Sequence, residues 1–135
     1  MRSYLKAAGS LLLCIVLLAA CGGTNRSLAV GGRKDAHGCL AAAGYTWSAV
    51  RHDCIRIFEA GVQLLDSRNP DAVLAAYAVF SDDGAQAELF LPAAADHPVL
   101  TRRADGRWQQ GRYVLCREAG RLVLTEGGER IYHEK

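Results

Sequence analysis

The sequence predicts a mainly β fold: a small antiparallel meander that closes as a barrel or a sandwich, with one short N-terminal helix and a disulfide-stapled hairpin. Three observations predict it. From residue 73 onward, apolar stretches recur at the spacing of about 8–12 residues expected of short strands, punctuated by Gly84, Gly111, Gly120 and Gly127-Gly128. Asp105-Gly106 is a tight-hairpin signal. A chain of 135 residues, 50% hydrophobic and 22% charged, accommodates one small domain with its own core and is not disordered in composition. It is too short for a two-domain cofactor enzyme.

The chain begins with a targeting pattern. Arg2 and Lys6 form a positive region, residues 11–18 are an unbroken apolar run, and Ala19 and Ala20 follow. This is a secretory signal, too short for an ordinary membrane-spanning helix. Residues 22–34 hold four glycines without periodicity and read as a tether with a reach of about 20 Å. The expected organisation is a signal peptide over 1–20, a modified Cys21 and tether over 21–34, and one β-rich domain over 35–135.

Within that domain, Asp35 caps a short helix over 36–43, with Gly44 as its left-handed stop. Tyr45-Thr46-Trp47-Ser48 and Ile55-Arg56-Ile57 alternate around the polar break Arg51-His52-Asp53. Their β-branched and aromatic content favours a hairpin, with Trp47 buried beneath it, over a single helix across 48–60. Strands are then expected over 73–80, 86–91 (stopped by Pro92), 99–103, 107–110, 113–117, 122–125 and 130–133.

The sequence has five cysteines. Cys14 leaves with the signal, and Cys21 lies at its end. Cys39, Cys54 and Cys116 remain in an oxidising compartment. A Cys39–Cys54 bridge, closing a loop of about 15 residues, is favoured. His37-x-Cys39 and His52-x-Cys54 repeat one spacing, so a zinc site of His37, Cys39, His52 and Cys54 is the alternative, along with unpaired thiols. Cys116, in an apolar strand, reads as a buried inert thiol.

Few features carry chemistry. There is no nucleophile elbow, zinc-protease motif or phosphate loop, so no catalytic residue, enzyme activity or cofactor is expected. Asp82 and Asp83 read as a solvated turn. Without Arg2 and Lys6, acids and bases balance, which disfavours nucleic acid as a partner. The bases are mostly arginine, and Arg102, Arg103, Arg107, Arg112, Arg117 and Arg121 cluster around Trp108 and Tyr113, a composition typical of protein contacts.

Leu18-Ala19-Ala20-Cys21 resembles the lipobox of bacterial lipoproteins. The resemblance implies lipidation of Cys21, palmitate being among the expected chains, and cleavage before it. Two or three acyl chains give a stable membrane anchor. Gly22 after the cysteine implies release to the outer membrane, facing the periplasm. The His37-Gly38-Cys39, Gly44-Tyr45-Thr46-Trp47-Ser48 and Cys54-Ile55-Arg56 pattern resembles a group of uncharacterised small bacterial lipoproteins. Residues 76–128 resemble the membrane-bound inhibitors of C-type lysozyme, through Ala87-Glu88-Leu89-Phe90-Leu91-Pro92, Ala104-Asp105-Gly106-Arg107-Trp108 and the strand pair from Tyr113 to Leu124. That resemblance implies a barrel whose loop enters the acidic cleft of a lysozyme. Ala104 or Asp105 stands where the family has serine, and Arg117 is nearest to its lysine. The expectation is a non-enzymatic, lipid-anchored envelope protein that binds a protein partner, with a lysozyme as the named one, through Asp105, Arg107, Trp108 and Arg117. A structural or assembly lipoprotein is the second expectation, and a periplasmic metal-binding module the third.

Overall fold

The computed structural model of the protein describes residues 33–135. The signal peptide, Cys14, Cys21 and the tether up to residue 32 lie outside the described residues.

Alternating side chains close the chain into an eight-stranded barrel. Its strands are β3 (Val62–Asp66), β4 (Ala76–Phe80), β5 (Gln86–Phe90), β6 (Val99–Arg102), β7 (Trp108–Gln110), β8 (Tyr113–Glu118), β9 (Arg121–Glu126) and β10 (Glu129–Glu134). Each pairs antiparallel with the next, and β10 returns to β3. Period-2 alternation turns one set inward. Leu64, Ala78, Ala87, Leu89, Leu100, Trp108, Leu115, Leu122 and Leu124 form a contiguous interior. Eight strands give a bore that side chains fill, and the alanines of β4 and β5 make room for the larger residues opposite.

Short turns set the register. Glu118 and Arg121 are Cα partners around Ala119 and Gly120, both at positive φ (49° and 83°). That is the twist-matched form of a two-residue hairpin loop. Glycine adopts it freely, whereas Ala119 is strained.

A second layer covers one flank. β1 (Thr46–Ser48) and β2 (Asp53–Ile55) pair with Trp47 opposite Cys54, so the expected hairpin forms. A one-turn α1 (Ile57–Ala60) follows. The Cys39–Cys54 disulfide joins the segment before the hairpin to β2, with the two Cα atoms 5.5 Å apart. Val50, Ile55 and Ile57 pack on the outward side chains Val79, Phe90, Tyr77 and Val99. β4 and β5 are therefore buried on both faces, and this is why they read as nearly continuous apolar runs. Glu88 is the exception. It points outward under the hairpin, is 2% exposed, and accepts hydrogen bonds from Ser48 Oγ at 2.6 Å and the Ala49 N–H at 3.2 Å. A buried carboxylate requires such donors, so Glu88 fixes where the hairpin turn sits.

Several expectations are corrected. The helix expected over 36–43 is a 3-10 turn at Ala41–Ala43, ended by Gly44 in the left-handed conformation. Asp35 instead caps a tight turn, accepting the His37 and Cys39 N–H groups at 2.8 Å each. Val62–Asp66 is a strand that the sequence reading passes over. Val73 and Leu74, placed in a strand by that reading, are loop residues 97% and 66% exposed. Trp47 is half-buried, not buried, and stacks on the His37 ring with centroids 4.5 Å apart.

Candidate functional site

The strand directions put the turns at 81–85, 103–107 and 119–120 at one end of the barrel, here called the rim. Loops 67–75 and 91–98, with the turns at 111–112 and 127–128, form the opposite end, the mouth. Asp105 and Arg107 meet at the rim, and Arg117 lies on the same end of the barrel. Arg112 lies at the mouth, apart from the other arginines of its cluster.

Trp108 is not a surface contact. It faces inward opposite Leu115 and is 6% exposed. Its indole Nε1–H donates to the Gly84 carbonyl at 2.9 Å, and Phe80 meets it edge-on at 5.0 Å. The ring thus seals the rim and ties the 81–85 turn to β7. Arg102 lies over its other side, 5.5 Å from the ring centroid, a cation–π contact that holds this guanidinium at the surface.

Asp105 and Arg107 form a closed local unit. One carboxylate oxygen accepts the Arg107 backbone N–H at 3.0 Å, and the other accepts Nε at 2.9 Å and Nη2 at 2.7 Å. The side-chain bonds from Arg107 hold the Asp105 carboxyl below its ordinary range and raise the Arg107 guanidinium in turn. The acid is neutralised where it stands. Arg117 donates to the Gly120 carbonyl at 3.2 Å, and Arg130 pairs with Glu118. Arg103 and Arg121 are exposed and form no ion pair among the described residues. Asp82 pairs with Arg51, and Asp83 accepts from Ser81 and Ala85 within its own turn. The acids at this end therefore have partners, while Arg102, Arg103, Arg117 and Arg121 keep their charge available.

The zinc alternative does not assemble. Cys39 and Cys54 are joined to each other, His37 is stacked on Trp47, and His52 lies in the exposed hairpin turn with a positive φ of 52°. No metal-binding group of His, Cys, Asp or Glu occurs among the described residues. Cys116 is also corrected. Leu115 takes the inward position, so Cys116 points outward and is half-buried and free. Partial burial, with Glu118 nearby, pushes its thiol up and keeps it poorly nucleophilic.

Glu88 was not singled out by the sequence, whereas Arg103 was named there as part of the arginine cluster. The signal for Glu88 is a lone acid inside the apolar stretch from Ala87 to Leu91. Comparison with known protein families, curated proteins and solved structures finds no match for this chain.

Proposed function

We propose that this protein is a lipid-anchored component of the bacterial envelope whose cationic barrel rim binds an acidic surface or cleft of a protein partner, with a C-type lysozyme as the partner to test first. The role is binding, not catalysis. The anchor is Cys21 in Leu18-Ala19-Ala20-Cys21, and the expected location is the outer membrane facing the periplasm.

One observation carries the rim reading. Asp105, which would repel an acidic partner, is neutralised by three bonds from Arg107, while Arg103, Arg117 and Arg121 have no carboxylate partner among the described residues. A glycosidase cleft needs carboxylates, and guanidinium groups pair with them at short range. The lysozyme-inhibitor resemblance rests on the sequence motifs, and the proposed function rests on the rim.

The anchor is tested by labelling with a radioactive fatty acid. Label is expected in the wild type and absent from Cys21→Ser, and label retained by the variant removes the lipobox assignment. For the rim, Arg117→Ala is expected to weaken lysozyme binding by about 2 kcal/mol, the scale of a charged anchor at an interface centre. Affinity should also fall with added salt, because the contact is electrostatic. Binding that ignores both Arg117 and salt contradicts the rim as the contact surface.

A further inference from the structure

The mouth of the barrel differs chemically from the rim and lies outside the partner contact proposed above. A cavity of about 210 Å³ opens at this end, lined by Arg68, Leu91, Ala94, Tyr113, Glu126 and Tyr132, among others. The strand register explains how these residues meet. Tyr113 follows the inward parity of Leu115, and Glu126 that of Leu122 and Leu124, while Tyr113 and Glu126 are Cα partners. Tyr132 is opposite Leu124 on one side and Asp66 on the other, just after the irregularity in β10.

The polar groups around this cavity are free to act on a ligand. The Glu126 carboxylate and the hydroxyls of Tyr113 and Tyr132 hydrogen-bond to no other side chain or backbone group among the described residues. Burial, with Asp66 nearby, raises the Tyr132 hydroxyl, so it remains a proton donor at neutral pH. Arg68 Nε lies 3.5 Å from Asp66 Oδ1, which leaves the two terminal nitrogens of its guanidinium to fork onto a carboxylate. Asp66 itself is held in place by the Arg68 and Asn69 N–H groups at 2.8 and 3.2 Å. The lining thus carries one cation and one anion on a floor of Leu91, Ala94 and two aromatic rings.

We propose that the open mouth of the barrel binds a small zwitterion, an amino acid or dipeptide, with Glu126 taking its ammonium and Arg68 its carboxylate. The volume supports this class. It lies below the roughly 300–1,000 Å³ of sites for drug-sized ligands. A lining that carries both signs matches the two ends of a zwitterion, whereas a simple cation or anion engages only one of its two charged groups. Barrel mouths are also among the places where small-molecule sites recur.

The test is calorimetric titration of the detergent-solubilised full chain with three probes: alanyl-alanine, its N-acetyl form and its C-terminal amide. The wild type is expected to bind alanyl-alanine and to lose about tenfold or more in affinity for each blocked form, the loss of one charge-assisted contact. Glu126→Gln should abolish the penalty for acetylation and keep that for amidation. Arg68→Gln should do the reverse. A folding defect does not produce that exchange of preferences. No binding of alanyl-alanine up to about 10 mM, or equal binding of all three probes by the wild type, overturns the proposal.

Discussion

At the rim, Trp108 fills the bore and bonds to Gly84, whereas at the mouth Tyr113 and Tyr132 stop short and leave a cavity of about 210 Å³. The rim places its charges outside the seal, on exposed turns. The mouth places Glu126 and Arg68 around a recess of small-molecule size. Both ends follow the same inward–outward alternation. What differs is the last inward side chain, Trp108 at one end and Tyr113 at the other.

The largest expected effect is at the sealed end. Trp108→Ala should cost about 3–5 kcal/mol in chemical denaturation, because it opens a cavity and orphans the Gly84 carbonyl. Tyr113→Ala, at the open end, should cost only about 1–2 kcal/mol, since its ring is partly exposed already. Equal costs would mean that the two ends are packed alike.

The flank is tested next. Replacing Cys39 and Cys54 together by serine should remove about 3 kcal/mol, the chain-entropy value for a bridge spanning 15 residues. The barrel interior lies on the other side of β4 and β5, so its strands should persist by circular dichroism. Loss of all β structure would mean that the hairpin is integral to the barrel and not a cover on it.

The sequence carries the strand pattern because alternation and turn chemistry are local. The hairpin, the Cys39–Cys54 bridge and the antiparallel meander were legible for that reason, while the choice between barrel and sandwich was not. β3 was not legible because Leu64 and Leu65 adjoin and blur its alternation; Leu64 faces in and Leu65 is half-buried outside. Val73 and Leu74 misled in the opposite direction, being apolar yet exposed. Trp108 was read by composition, as an aromatic among arginines. Its position between Arg107 and Gln109, with polar residues on both sides, was the local sign that it faces inward. Glu88 and the mouth needed tertiary information: one depends on a hairpin docking 40 residues away in sequence, the other on register across β8, β9 and β10.

Smaller effects sharpen the rim. Ala119→Gly should stabilise by about 1 kcal/mol, by relieving the positive φ of 49° without touching a contact. A loss of stability would show that Ala119 packs on something more valuable than the strain it carries. The Asp105 carboxyl, followed by NMR, should titrate below the ordinary value of 3.8. Because its folded value is depressed, the stabilisation from the Arg107 pair is present above the ordinary carboxylate range and fades as pH falls through the folded value. Arg107→Ala should move the midpoint back up. An Asp105 midpoint at or above 3.8 in the wild type would contradict the pair.

Engagement of an acidic partner by the arginine rim is read from lysozyme activity. The hydrolysis rate of a C-type lysozyme is followed while the full chain is added at low salt. A saturable fall in rate is expected, reversed by salt, weakened by Arg117→Ala and unaffected by Glu126→Gln at the opposite end. Full lysozyme activity at a large molar excess of this protein would contradict it and leave the rim to another envelope partner.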